Sequence, residues 1–321
     1  MELPTGVNFY SGDSARDRRR LEEIQISILT GKGFQEVISP VFEYHAPGEE
    51  RGPEDRTYKF PDLLTGRMLA LRWDFTLQVA RFAARRRGEG EVQRWFYRGD
   101  VFRTVREHAG QKRQIYQVGA EVFGDPSLES TAGMIDLAVE VLEASEVDRF
   151  AVVIGHVGFI EGMIKSLDLP PEHEPAFREV LRRKDLSALD SLARERGLTS
   201  DRREGIRRAM YLMGGEEVLE EAAGIFPEMT SLEELSRVCQ KTAKARDRII
   251  FDLTEPRGFD YYTGVMFQAV VPSIGREVLM GGCYDDLLGR FGRPSPAVGF
   301  ALDLDLTAQA SSGNFKGEQS G

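Results

Sequence analysis

Arg257, Asp260, Tyr261 and Tyr262 fall within the run RGFDYYTGVMFQ, residues 257–268. A guanidinium, a carboxylate and two phenols stand here at the mouth of the apolar stretch VMFQAVV, which reads as a strand after a Thr263-Gly264 turn. Such a set makes either a hairpin with aromatic packing and a surface ion pair, or the wall of a pocket for a small polar zwitterion. Two further stretches are polar where a sheet should be apolar: Arg72 to Thr76 and Gln117 to Glu121. In QIYQVGAEVFG, residues 114–124, Val118, Ala120 and Val122 share one face at period two, and Gln117, Gly119 and Glu121 share the other. The first face is core. A glycine between two long polar residues leaves room above the second, which favours a pocket. Asp74 and Thr76 sit at a strand-to-helix junction, where they either cap the helix or hold an ammonium group. The three stretches offer carboxylates for an ammonium, Arg257 for a carboxylate, and Tyr, Gln or Glu for an imidazole or amide. A free amino acid fits that inventory.

The elements that would position these groups follow from periodicity. Residues 15–30 carry an amphipathic helix stopped by Gly31 and Gly33, and FQEVISPVFEY follows as an edge or interface strand interrupted at Pro40. Residues 48–55 read as a loop, and Tyr58 to Gly66 as a strand and turn able to cover a ligand. Met68 to Arg72 is a strand and Thr76 to Arg86 a helix. Arg94 to Arg103 and Gln114 to Gly124 are strands, Ser127 to Ala144 a helix, and residues 150–159 a strand in which His156 is structural. Residues 160–249 change texture to a series of short helical patterns, and strand character returns at Ile249. The expected organisation is α+β: a discontinuous, mainly antiparallel core over 1–159 and 250–308, a helical insertion at 160–249, and a mobile tail at 309–321, since the chain from Leu306 onward has no evident buryable pattern.

The 321 residues are 41% hydrophobic, with no long apolar span and no secretory or transit pattern at the N-terminus. Two cysteines and four scattered histidines make neither a disulfide framework nor a zinc site, so a reducing cytoplasm without a metal is expected. A net charge of -10 argues against a generic nucleic-acid binder, although Arg81 to Arg113 is +6 and leaves -16 for the rest. That basic segment serves an anionic ligand or partner, or balances acids elsewhere. A glycine-rich phosphate loop, a dinucleotide fingerprint and a nucleophile–base pair are all missing from the sequence.

These pieces resemble the class II aminoacyl-tRNA synthetase core, in its histidyl-tRNA synthetase branch, over about residues 3–305. The stretch ending at Pro40 is similar to motif 1, FRTVREHAGQKRQIYQVGAEVFG at 102–124 to motif 2, and GGCYDDLLGRFG with PAVGFALDLD to motif 3. RGFDYYTGVMF resembles that branch's histidine signature, and LRWDFT at 71–76 its amino-group segment. The resemblance implies that Asp74, Thr76 and Gln117 face the ammonium of histidine, and Glu121 and Tyr262 its imidazole. Tyr261 would form the neighbouring wall, and Arg103 and Arg257 would meet the carboxylate or a phosphate.

Departures from the synthetase pattern are as informative. Val105 replaces a glutamate and Gln111 an arginine of motif 2, although Arg113 is kept. In motif 3, Asp303, Asp305 and Leu306 stand where a glycine, an acid and the triphosphate-holding arginine belong. Acids at that place invert the electrostatics of the site and leave Arg113, Asp303 and Asp305 as a vestigial nucleotide site. An anticodon-binding domain does not follow. The combination resembles the family of ATP phosphoribosyltransferase regulatory subunits, synthetase paralogues of histidine biosynthesis. It implies no aminoacylation, a free L-histidine ligand and no cofactor. It also implies a short-form catalytic subunit as partner and a synthetase-like dimer within a hetero-octamer, with no tRNA and no membrane. The alternative is an active histidyl-tRNA synthetase catalytic fragment, or another synthetase-like ligase.

Overall fold

Near-continuous burial of its central strands builds one large sheet covered by helices, described here from a computed structural model over residues 3–45, 57–86, 91–104, 112–167, 169–254 and 261–312. Its strands are β1 (Gln35–Glu36), β5 (Gln93–Phe102), β6 (Gln114–Phe123), β7 (Ala151–His156), β8 (Met213–Gly214), β9 (Ile249–Asp252), β10 (Val265–Val271), β11 (Arg276–Cys283) and β12 (Ala297–Asp303). They lie in the order β1-β5-β6-β12-β11-β10-β7-β9-β8. Only the β1–β5 and β7–β9 pairs are parallel among the described ladders of this sheet. β2 (Phe42–Tyr44), β3 (Lys59–Pro61) and β4 (Met68–Leu71) form a separate antiparallel sheet in the order β2-β4-β3.

Helices α1 (Gly12–Gly31), α3 (Leu128–Ala144) and α10 (Leu304–Ser312) flank the large sheet, and α2 (Thr76–Arg86) leads from β4 towards β5. α3 starts where Ser127 Oγ accepts the Ser130 N–H at 3.1 Å. The expected core face of β6 is confirmed: Val118, Ala120 and Val122 are buried, in one apolar cluster with Ile135, Leu142 and Phe300. α4 (Val157–Ser166), α5 (Glu174–Arg183), α6 (Leu186–Glu195), α7 (Ser200–Ala209), α8 (Glu217–Ile225) and α9 (Thr230–Lys241) make up the helical stretch. Their Phe177, Leu181, Leu189 and Ile206 belong to that same cluster, so the insertion and the sheet share a continuous core.

Several expectations are corrected. The tail read from Leu306 begins as α10, because Asp303 Oδ1 accepts the Asp305 and Leu306 N–H groups and Thr307 and Ala308 are buried. Leu304 and Leu306 are buried beside them, Leu304 and Ala308 in one cluster with Leu21 of α1. The stretch read as free of strands contributes β8 at the sheet edge. Ser39 and Pro40 lie outside any strand, so that FQEVISPVFEY divides between the two sheets. Residues 58–66 build the small sheet and its turn and do not line the pocket described below. Phe42, Tyr44, Phe60 and Met68 of that sheet and the adjoining Val41 are exposed, and Leu63 and Leu64 at its turn are 95% exposed. Among the described residues, no helix is long and apolar enough to cross a membrane, and no acid, His or Cys group is arranged to hold a metal.

Candidate functional site

The pocket opens where the polar face of β6 meets the turn before α2 and the segment entering β10. Asp74, Thr76, Arg103, Gln117, Glu121, Tyr261 and Tyr262 all line it, together with Asp303. Arg113 and Asp305 are not among its lining residues. Arg257 and Asp260 lie outside the described residues, as do Val105, Gly110, Gln111 and the loop at 48–55.

Glu121 is the centre of the arrangement. It is 1% exposed and accepts from Thr76 Oγ1 at 2.7 Å, from the Tyr97 phenol at 3.2 Å and from the Tyr284 phenol. Burial, with Asp74 nearby, pushes its carboxyl up to about 8, against the opposing effect of the hydroxyl donors. Asp74 is also buried and likewise raised by desolvation, with Arg103 and its hydrogen bonds pulling the other way. Its Oδ1 accepts the Thr76 N–H at 2.5 Å and its Oδ2 accepts the Tyr261 phenol at 3.1 Å. Asp74 therefore caps the turn into α2, as one of its two expected roles requires, and also lines the pocket. Arg103 reaches the site from the end of β5, its Nε donating to the Trp73 carbonyl at 3.2 Å.

Aromatic walls exclude water around these acids. Tyr261 packs edge-on against Tyr262 and Tyr284, with ring centres 5.1 and 5.6 Å apart, and Tyr97 stacks on Phe75 at 4.4 Å. Desolvation raises the phenols of Tyr97, Tyr261, Tyr262 and Tyr284 well above their ordinary range, so they serve as neutral donors. Tyr97 and Tyr284 were not predicted. The signal for Tyr97 was Gly119, its direct partner across β5 and β6: a Cβ there would come within 2.4 Å of the Tyr97 ring. The space left by that glycine is thus taken by the protein's own phenol, a correction to reading it as open to a ligand. Gly299 serves Glu121 in the same way, as a Cβ there would come within 1.5 Å of its carboxylate.

On the opposite side the acids are occupied. Asp305 accepts from the Tyr10 phenol at 2.6 Å and pairs with Lys112 Nζ at 3.0 Å and Arg18 Nε at 3.1 Å. Lys112 also stands 3.6 Å from Asp303, and the Arg18 guanidinium lies 4.5 Å from the ring centres of both Tyr10 and Tyr116. Parts of the basic segment have structural partners as well: Arg81 pairs with Glu43 and Arg98 with Glu22 and Glu36. His156 caps α4, its Nδ1 accepting the Gly158 N–H at 2.9 Å, in keeping with a structural role.

The pocket thus brings together two buried carboxyls, the Arg103 guanidinium and the phenols of Tyr97, Tyr261, Tyr262 and Tyr284. Comparison with known proteins narrows the setting. A family model described as histidyl-tRNA synthetase matches residues 6–306. An ATP phosphoribosyltransferase regulatory subunit of Moorella thermoacetica is 37% identical over 95% of this chain and 80% of its own length. The structure of an ATP phosphoribosyltransferase regulatory subunit/histidyl-tRNA synthetase from Bacillus halodurans has the same fold, with a TM-score of 0.88 at 24% identity over 97% of this chain and 83% of its own. A chain of the ATP phosphoribosyl transferase complex of Thermotoga maritima superposes with a TM-score of 0.70 at 21% identity, over 89% of this chain and 97% of its own.

Proposed function

Because the chain belongs to the family of ATP phosphoribosyltransferase regulatory subunits, paralogues of class II histidyl-tRNA synthetase, we propose that it binds free L-histidine in this pocket and forms no histidyl-adenylate. In this reading it regulates histidine biosynthesis within the ATP phosphoribosyltransferase complex, with no catalysis of its own. Asp74 and Thr76 receive the ammonium, and Gln117 lies on the same side. Glu121 and Tyr262 receive the imidazole, Tyr261 forms the adjoining wall, and Arg103 with Arg257 meets the carboxylate. The observation that carries this reading is Glu121, a buried carboxylate surrounded by hydroxyl donors and lining the pocket. An imidazole N–H reaching it adds a further donor that favours the ionised form of a carboxyl that burial otherwise keeps protonated.

The motif 3 region supports the missing adenylation step, since Lys112 and Arg18 are engaged by Asp303 and Asp305 instead of standing free for a phosphate chain. The exposed apolar side of the small sheet suits self-association as a synthetase-like dimer, with the short-form catalytic subunit completing a hetero-octamer. Cys239 and Cys283 are buried and unpaired, which suits a cytoplasmic setting.

Calorimetric titration with L-histidine tests the pocket, with saturable binding expected. Histidine-dependent ATP–pyrophosphate exchange separates this reading from an active synthetase: none is expected, and robust exchange would overturn it. Mixing with the catalytic subunit is expected to produce phosphoribosyltransferase activity that histidine suppresses.

A further inference from the structure

Behind the pocket, one buried cation organises the turn that carries Asp74. Arg72 is 8% exposed and does not line the pocket. Its Nε donates to the Asp100 carbonyl at 2.6 Å and its Nη1 to the Ser39 carbonyl at 2.9 Å. Its backbone is held as firmly: the N–H donates to the Val41 carbonyl and the C=O accepts the Phe102 N–H, each at 2.9 Å. The guanidinium lies 4.0 Å from the ring centre of Phe75, and Phe75 stacks on Tyr97, which donates to Glu121. Room for the guanidinium comes from Gly99, at φ +139°, where a Cβ would approach Nη2 to 2.7 Å.

We propose that Arg72 is a positioning residue for the pocket: without touching the ligand, it sets the turn that presents Asp74 and so the discrimination for the ligand's ammonium group. This rests on the histidine reading of the pocket. A planar guanidinium holds two carbonyls from separate segments while lying flat on an aromatic ring, and a lysine ammonium does not reproduce that fork. The two carbonyls belong to Ser39, next to the small sheet, and Asp100, on β5. Arg72 therefore ties the turn to both sheets, and a shift of the turn by a fraction of an ångström moves a buried carboxylate out of hydrogen-bond reach.

The test compares L-histidine with 3-(imidazol-4-yl)propionate, which lacks only the amino group, by calorimetric titration of wild-type protein and Arg72→Lys. Wild type is expected to prefer histidine. In Arg72→Lys, histidine affinity is expected to fall about tenfold, with much less change for the analogue, so that the preference collapses. A core variant of similar melting temperature, Leu189→Ala in α6, should weaken both ligands alike or neither. Arg72→Gln, which keeps a planar donor but cannot bridge both carbonyls, should repeat the loss of preference and replaces Arg72→Lys if that variant does not fold. Histidine binding by wild type with an unchanged preference in the folded variant overturns the positioning role alone. An absence of histidine binding by wild type overturns the pocket reading, and this proposal with it.

Discussion

Asp74 and Glu121 on one side of the pocket, and Asp303 and Asp305 on the other, differ in what answers their charge. The first pair is met by hydroxyl and backbone donors, with burial raising both carboxyls and Arg103 opposing this at Asp74. The second pair is met by Lys112, Arg18 and a helix N-terminus, and burial raises Asp303 as well, against Lys112 and its two backbone donors. Neutral donors leave a carboxylate able to gain from a ligand's N–H or ammonium, whereas a salt-bridged carboxylate has little left to offer. On the proposed histidine reading, the contrast separates a recognition side from a structural side across the pocket and its border.

Breaking the structural side should have the largest effect. Asp305→Ala leaves Arg18 without its acid and Lys112 with only the more distant Asp303, each cation being roughly a fifth exposed. Urea denaturation should show a loss of about 3 kcal/mol, while titration should find histidine affinity nearly unchanged. A large loss of affinity in the folded variant would erase the distinction between the two sides.

The recognition side should respond in the opposite sense. Glu121→Ala is expected to weaken histidine binding by about 1–3 kcal/mol, since an imidazole N–H is then left unpaired in a desolvated site. Unchanged affinity by calorimetry would remove Glu121 from recognition.

pH sharpens the comparison further. Glu121 is raised from 4.5 to about 8 in the folded protein. Between these values the folded state holds a proton that the unfolded state has released, so stability falls as pH rises through the window. The slope is on the order of 1 kcal/mol per pH unit for one such group. Glu121→Gln should flatten the decline in urea denaturation series between pH 5 and 8, and an undiminished slope would place the raised group elsewhere. Because an accepted imidazole N–H favours the ionised carboxylate, histidine binding below pH 8 should release protons, visible as a dependence of the binding enthalpy on buffer ionisation.

What could be seen in the sequence follows the range of the interactions. The helix Thr76–Arg86, the long strands on either side of residues 105–111 and the core face Val118, Ala120 and Val122 rest on local periodicity, and all are found as expected. Asp74, Thr76, Gln117 and Glu121 were legible because polar residues interrupted strands that should be apolar. Tyr97 and Tyr284 were not, because each reaches Glu121 across a strand pairing or chain separation that no local pattern encodes. α10 was hidden because its buried Leu304, Leu306, Thr307 and Ala308 fall within little more than one turn, too short a run to show a helical period. The electrostatic expectation for Asp303 and Asp305 was incomplete for the same reason: their partners Tyr10, Arg18 and Lys112 lie far away along the chain.

The smallest effect separates charge from geometry at Asp303. Its Oδ1 accepts the Asp305 and Leu306 N–H groups at 2.9 and 3.0 Å, and Lys112 stands farther off at 3.6 Å. Asparagine keeps a side-chain oxygen for the cap but surrenders the charge, whereas alanine surrenders both. Asp303→Ala should therefore cost about 1 kcal/mol in urea denaturation, and Asp303→Asn only a few tenths. Equal losses in the two variants would mean that the attraction to Lys112, not the helix cap, dominates at this position. Asp303 would then belong with Asp305 as an ion-paired acid, and α10 would depend on packing to start where it does.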